Sequence, residues 1–322
     1  MSTFIFISPD FPQINVNLCE HLALAGVRVI GIGDADAAGL DRRLVHHLHD
    51  YRQVHTLDDY DAVYRAVAYF AHRHGKPDHL DSNNSHWLSQ DARLRRDFNI
   101  SGITWSASDS DSLEAVAEAG LPVGDSAGQV YSWDAIIGHD RTVLFEGVTA
   151  WPLISASEYA YRTVVPLPPA VVRLGRQAAE ALRARLTFLH VQVAFPPGAE
   201  PRIIRVSRSA PPAFTLDMYN YAGDIDTYQI YAAEVARQDV RLSVGPTSPP
   251  PKEQIAIYVS RRDGVSYRHR PQDLAERWGD RIRLVARNPE QYRRGMGDAF
   301  YIAVVSDDDE ADRFTADVVM RG

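Results

Sequence analysis

The chain has 322 residues, enough for one large core or for two or three packed modules. Hydrophobic residues make up 45% and charged residues 24%, the balance of an ordinary globular protein, and the net charge of −8 excludes a general affinity for nucleic acid or acidic membranes while leaving room for a local basic pocket. A single cysteine, Cys19, excludes an intramolecular disulfide and a multi-cysteine metal site, and its place in an apolar helical pattern predicts a buried thiol.

The order of elements opens with "TFIFIS" (3–8), a short strand. "INVNLCEHLALAG" then repeats apolar residues at helical spacing, with Gly26 as its stop. "VRVIGIG" (27–33) predicts a second buried strand, so the chain begins as a βαβ unit with a parallel sheet. "DYRQVHTL" predicts a third strand and residues 59–75 an amphipathic helix. "DHLDS" predicts a fourth strand and "SHWLSQDARLRRDF" a further helix. Residues 1–103 are therefore expected to form a small doubly wound domain.

Downstream, "DSLEAVAEAG" (111–120) predicts a helix and "GQVYSWDAIIGHDRTVLFEG" (128–147) a hairpin around "GHD". Residues 168–186 predict a long helix that starts after prolines and ends in arginines suited to its macrodipole. "FLHVQVAFPPGAEPRIIRVSR" (188–208) reads as a second hairpin, with Gln192, Arg205 and Ser207 interrupting its apolar runs. A helix at about 225–237 follows, then a stiff linker, "GPTSPPP" (245–251). Strands near 254–260 and 299–305 and helices near 271–277 and 309–317 complete the chain, which has no internal repeat.

Most chemical motifs fail on inspection. "GIGDAD" (31–36) follows a strand, but Asp36 stands where a dinucleotide fingerprint needs its third glycine. No phosphate loop ends in Gly-Lys-Ser/Thr. "HHLHD" (46–50) gathers His46, His47 and His49 without an evident fourth ligand, so a solvated turn is favoured over a metal site. "SASDSDS" (106–112) and "SDDDEAD" (306–312) read as loops that cap helices. Of the 34 basic residues only Lys76 and Lys252 are lysines, which nearly excludes a mechanism needing several.

The pieces then meet a resemblance. "SNNSHWLSQDARLRRDFNISG" (82–102), "LEAVAEAGLPV" (113–123), "VYSWDAIIGHDRTVLFEG", "FLHVQVAF…RIIRVSR" and "RRGMGDAFYIAVV" (293–305) resemble, in that order, segments of the ATP-grasp carboxylate–amine ligases. The resemblance implies an α/β fold: a pre-ATP-grasp (Rossmann-like) domain over 1–103, a reduced ATP-grasp-like α+β core over 104–244, and a C-terminal α/β segment over 245–322 packing on that core. It also implies a chemistry. Such ligases make an acyl-phosphate from ATP and a carboxylate, then displace phosphate with an amine. Mg²⁺ held by carboxylates bridges the phosphates, and clamp lysines grip them.

The residues here depart from that pattern. The family's His-x-Glu falls on His190 and Gln192, and its Glu-x-Asn on Arg205 and Ser207, with Arg208 near the usual arginine. Both metal carboxylates are missing. Between "AGLPV" and "YSWD", where the resemblance places the clamp, only "GDSAGQV" (124–130) stands, so the clamp subdomain is expected to be largely absent. The first reading is a truncated, degenerate member, a pseudoenzyme with no catalytic residues, no cofactor and no metal. It would bind an anionic ligand through His190, Gln192, Arg205, Ser207 and Arg208, or bind a partner, either itself as a homodimer or an active ATP-grasp paralogue. An active ATP- and Mg-dependent ligase is the alternative, with Asp217, Asp224 and Asp226 as weak metal candidates against simpler capping roles. A metal-free enzyme is a second alternative. Trp133, Trp151 and the tyrosines at 159, 161, 219, 221, 228 and 231 line either a ligand surface or the core. No nucleic acid or membrane partner is expected. The first residues lack a signal-peptide pattern, so the expected location is cytoplasmic.

Overall fold

The computed structural model describes residues 1–104, 108–151, 158–237 and 254–322. The first sheet belongs to β1 (Thr3–Ile7), α1 (Ile14–Leu24), β2 (Arg28–Gly33), α2 (Arg42–His47), β3 (Asp50–Gln53), α3 (Tyr60–His74), β4 (His79–Asp81) and α4 (Leu88–Asp97). Its strands are parallel, in the order β3–β2–β1–β4. The central strands are apolar on both faces because both are covered: Phe4, Phe6 and Val29 pack towards α1, and Ile5, Ile7, Ile30 and Ile32 towards α3. Cys19 is buried in α1, as its pattern predicts.

The second sheet is built from α5 (Asp109–Glu118), β5 (Gln129–Ile137), β6 (Val143–Trp151), β7 (Ala160–Thr163), α6 (Pro169–Ala181), β8 (Thr187–Phe195), β9 (Arg202–Ser207), α7 (Thr215–Gly223), α8 (Thr227–Val235), β10 (Ile255–Arg261), α9 (Pro271–Trp278), β11 (Ile282–Arg287), α10 (Glu290–Met296), β12 (Ala299–Val305) and α11 (Asp308–Val319). Its eight strands lie in the order β11–β12–β10–β7–β6–β5–β8–β9 and pair antiparallel. The last three strands thus join the same sheet as the two hairpins. One face packs on α5 and α6 through Trp133, Val148, Val191 and Val206, and on α9 and α11 through Ile257, Val259 and Tyr301. The other face packs on α7 and α8.

A continuous core ties the two sheets together. Phe4, Leu18 and Leu22 share one cluster with Ile136, Phe188, Tyr228 and Tyr231. Polar contacts fix the same seam: the backbone N–H of Ala210 donates to Asn83 Oδ1 at 2.6 Å, and His21 Nε2 lies 3.2 Å from Asp226. Trp133, Trp151, Tyr161, Tyr219, Tyr228 and Tyr231 are all buried, so these aromatics are core.

Several elements differ from the sequence pattern. The helix expected over 168–186 stops at Ala181, so Arg183 and Arg185 lie beyond its last turn and do not complement its dipole. The helix expected at 225–237 is α8, capped by Asp226 accepting from Gln229 N–H; α7 precedes it unexpected, ended by Asp224 in a left-handed conformation, φ 51°. β7, β11 and α10 are short pieces without a clear period, and α2 is a turn of helix where a solvated turn was expected. Between α5 and β5, residues 119–128 hold neither helix nor strand, only a bridge from Val123 to Ile203. The linker at 245–251 lies outside the described residues.

One buried acid makes a pH prediction. Asp91 in α4 is fully buried and accepts from Ser82 N–H at 2.9 Å and Ser82 Oγ at 2.6 Å. Burial, then the nearby charge of Asp81, pushes its carboxyl up to about 7. The folded chain therefore holds a proton that the unfolded chain releases. Its contribution is fully present below the usual aspartate range, about pH 4, and is lost as pH rises through about 7. Asp91→Asn keeps an acceptor for Ser82 and should flatten this slope. The check is the urea midpoint of both proteins at about pH 5 and about pH 8: the variant should lose less stability across that interval than the parent does.

Candidate functional site

Strand register brings the candidate residues of the second hairpin onto one face, in two transverse rows. Gly147 of β6 pairs with Asp134 of β5, Asp134 with His190 of β8, and His190 with Ser207 of β9. The next row runs Thr149, Ser132, Gln192, Arg205. Alternation in each strand sends these polar residues to the α7 and α8 side and the intervening Trp133, Val191 and Val206 to the other core. A bulge after Gln192 restores the pairing between Val193 and Ile203.

The first row is a buried hydrogen-bonded relay. His190 Nδ1 donates to Asp134 Oδ1 at 2.6 Å, and Tyr219 of α7 donates its hydroxyl to Asp134 Oδ2 at 2.7 Å. Asp134 is 1% and His190 3% exposed, so both groups depend on these bonds. Gly147 makes the approach of Tyr219 possible: a Cβ there would lie 2.4 Å from its ring. Burial first, then the charge of Asp134, pushes the Tyr219 phenol well above its ordinary range, so it acts as a donor. With its Nδ1 proton given to Asp134, His190 turns Nε2 to a buried place where it has no hydrogen-bond partner; Ser132 Oγ is in the same state. Ser207 Oγ shares a hydrogen bond with Ser209 Oγ at 2.9 Å.

Gln192 and Arg205 face each other in the second row, but their side chains part. Arg205 reaches around the sheet edge to Asp109 at the start of α5, with Nε and Nη2 at 2.9 and 2.8 Å from Oδ2. Its side chain is 48% exposed, so the pair contributes only about 0–1 kcal/mol and acts as a positional tie. Arg208, just past β9, is buried in the seam between the two sheets. Burial and the charge of Arg95 lower its guanidinium to about 10.

The three aspartates weighed as metal ligands sit elsewhere, where α7 and α8 meet α1. Asp217 is pushed up to about 6 by burial and lies 3.5 Å from Asn17 Nδ2. Asp224 ends α7 and Asp226 caps α8 while pairing with His21. Among the described residues no group of three His, Cys, Asp or Glu is arranged to hold a metal ion. Asp134 was not among the candidates read from the sequence, and Tyr219 stood there only among the aromatics of a ligand surface or the core. Strand alternation relative to His190 was the available signal for Asp134; nothing local marks Tyr219, which arrives on α7 through the tertiary fold.

No protein-family model matches the chain, and no curated protein matches it. Solved structures do. The L-amino acid ligase from Bacillus licheniformis superposes with a TM-score of 0.72 at 12% identity, covering 99% of this chain and 97% of that one. A phosphoribosylglycinamide synthetase from Anaerococcus prevotii gives 0.71 at 10% identity over 99% and 97% of the two chains. N5-carboxyaminoimidazole synthetase from Staphylococcus aureus gives 0.64 at 12% over 98% and 96%. At such identities the likeness is one of fold, and the chain has the ATP-grasp fold. No helix of the described residues is long and apolar enough to cross a membrane.

Proposed function

We propose that this ATP-grasp-fold protein does not carry out Mg²⁺-dependent ligation and that its altered cleft binds a small anionic ligand or a protein partner without metal. The observation that carries this reading is the Gln192–Arg205 pairing of β8 and β9. Those are the two positions where the resemblance requires carboxylates, and the guanidinium there already holds Asp109. With the guanidinium turned outward to Asp109, this position offers Mg²⁺ no carboxylate oxygen. The short 119–128 segment supports reading the clamp as largely lost. Arg208 is the guanidinium on this reading that a carboxylate or phosphate would meet, since Arg95 already holds Asp81, Leu80 and Ile103. On this reading the chain divides into modules at 1–103, 104–244 and 245–322, and the face left open by the missing clamp pairs with a second copy or with an active ATP-grasp paralogue.

Calorimetry with ATP, with and without Mg²⁺, tests the proposal. No Mg²⁺-dependent binding is expected, and micromolar Mg²⁺-dependent affinity would overturn it. An active ligase is the second reading, favoured by the names of the similar structures, which are ligases and synthetases. It predicts release of ADP that depends on a carboxylate substrate.

A further inference from the structure

Residues 46–50, "HHLHD", close α2 and enter β3, so they lie at the N-terminal edge of the parallel sheet. At the opposite edge Asn83, which follows β4, accepts from Ala210 N–H of the other half. A hollow of about 390 Å³ opens at the N-terminal edge, lined in part by Gly26, Val27, Arg28, His46, His47 and His49. Its imidazoles do not converge as metal ligands would. They pair instead, His46 edge-on to His47 at 4.9 Å between ring centroids and His49 edge-on to His74 at 5.2 Å.

The acids around the hollow already have cations of their own. Glu20 faces His47 at 3.5 Å and Arg43 at 3.4 Å. Asp50 faces His74 at 3.0 Å and Arg73 at 3.4 Å. Arg28 has a different environment. Its Nη1 donates to the backbone carbonyl of His74 at 3.3 Å, and its Nε is buried without a hydrogen-bond partner. A buried guanidinium N–H wants an acceptor, and a charged one suits it best.

We propose that this hollow is an anion site for a phosphate group, free or as a monoester, with Arg28 as its anchor and the imidazoles of His46, His47 and His49 as surrounding donors. It is separate from the rows of the β8–β9 hairpin and stands or falls independently of the function proposed for them. The planar fork of Arg28 matches phosphate oxygens, and the hollow has room for an organic substituent beyond the phosphate itself.

The test titrates the full chain with inorganic phosphate and, separately, with glycerol phosphate, chloride holding the ionic strength constant. The imidazole C2–H resonances report binding, assigned through single His→Gln variants. The expected result is a saturable shift of His46, His47 and His49 with a dissociation constant of about 1 mM or tighter, while the buried His190 resonance stays in place. Arg28→Gln should weaken binding about tenfold or more. If that variant does not fold, Arg28→Lys, which keeps the charge and removes the fork, should still weaken it severalfold. Tighter binding of glycerol phosphate identifies a monoester as the ligand; equal binding identifies free phosphate. Shifts that fail to saturate, or that saturate with the parent's constant in both Arg28 variants, overturn the proposal.

Discussion

Asp134→Ala should destabilise the protein by about 3–5 kcal/mol, read as a lower urea midpoint at unchanged slope. The carboxylate accepts from both His190 and Tyr219 in a place where neither donor reaches water. Removing it strands an imidazole N–H and a phenol together, and each unsatisfied buried group costs about 1–3 kcal/mol. Asp134→Asn offers one oxygen in place of two and should fall between the parent and Asp134→Ala. An alanine variant as stable as the parent would mean that the relay is not built as described. The ¹⁵N resonances of His190 give a second readout: the Nδ1–H tautomer in the parent should give way to a mixture in the alanine variant.

Gly147→Val should cost about 2–4 kcal/mol, for a reason that local sequence cannot supply. Gly147 lies opposite Asp134 in the sheet, and the Tyr219 ring occupies the space of its missing side chain. A branched side chain drives the ring away and breaks its hydrogen bond to Asp134. Valine suits a strand by intrinsic preference, so a strand-propensity argument predicts the opposite sign. Thermal unfolding of Gly147→Val beside Gly147→Val/Tyr219→Ala separates the two effects, because truncating the ring should recover the part of the loss that comes from the clash.

The two rows bear differently on chemistry. The relay of Tyr219, Asp134 and His190 is fully connected on one side and open at His190 Nε2 on the other. That arrangement fixes the imidazole and leaves its second nitrogen buried without a partner. The second row carries an amide and a guanidinium, and the guanidinium is tied outward to α5. Arg205 is thus bound to Asp109 although register sets it opposite Gln192.

Much of the fold was legible because the pattern was local. β1 and β2 announce a covered parallel sheet by unbroken apolar runs, and the stops at Gly26 and Gly120 have the positive φ, 79° and 82°, that glycine supplies freely. Ser108 and Asp111 form the capping box that the polar loop before α5 foreshadowed. That His190 shares a face with Gln192, and Arg205 with Ser207, follows from alternation along each strand; the register that pairs them across the hairpin comes from the structure. α7 was not read from the sequence: it is a nine-residue helix with no side-chain N-cap, and it ends on Asp224 rather than on a glycine in the left-handed conformation.

Sequence by itself therefore determined which residue types occupy the β8 and β9 strands, with an amide at Gln192 and a guanidinium at Arg205. Their composition and period are fixed before any folding occurs. Tertiary structure alone decided what those residues touch: Arg205 finds Asp109 from the edge of the sheet, His190 finds Asp134 across it, and Asp134 finds Tyr219 from a helix 85 positions away. Side-chain partners at that separation depend on where sheets and helices pack, and packing is a property of the whole core rather than of any one segment.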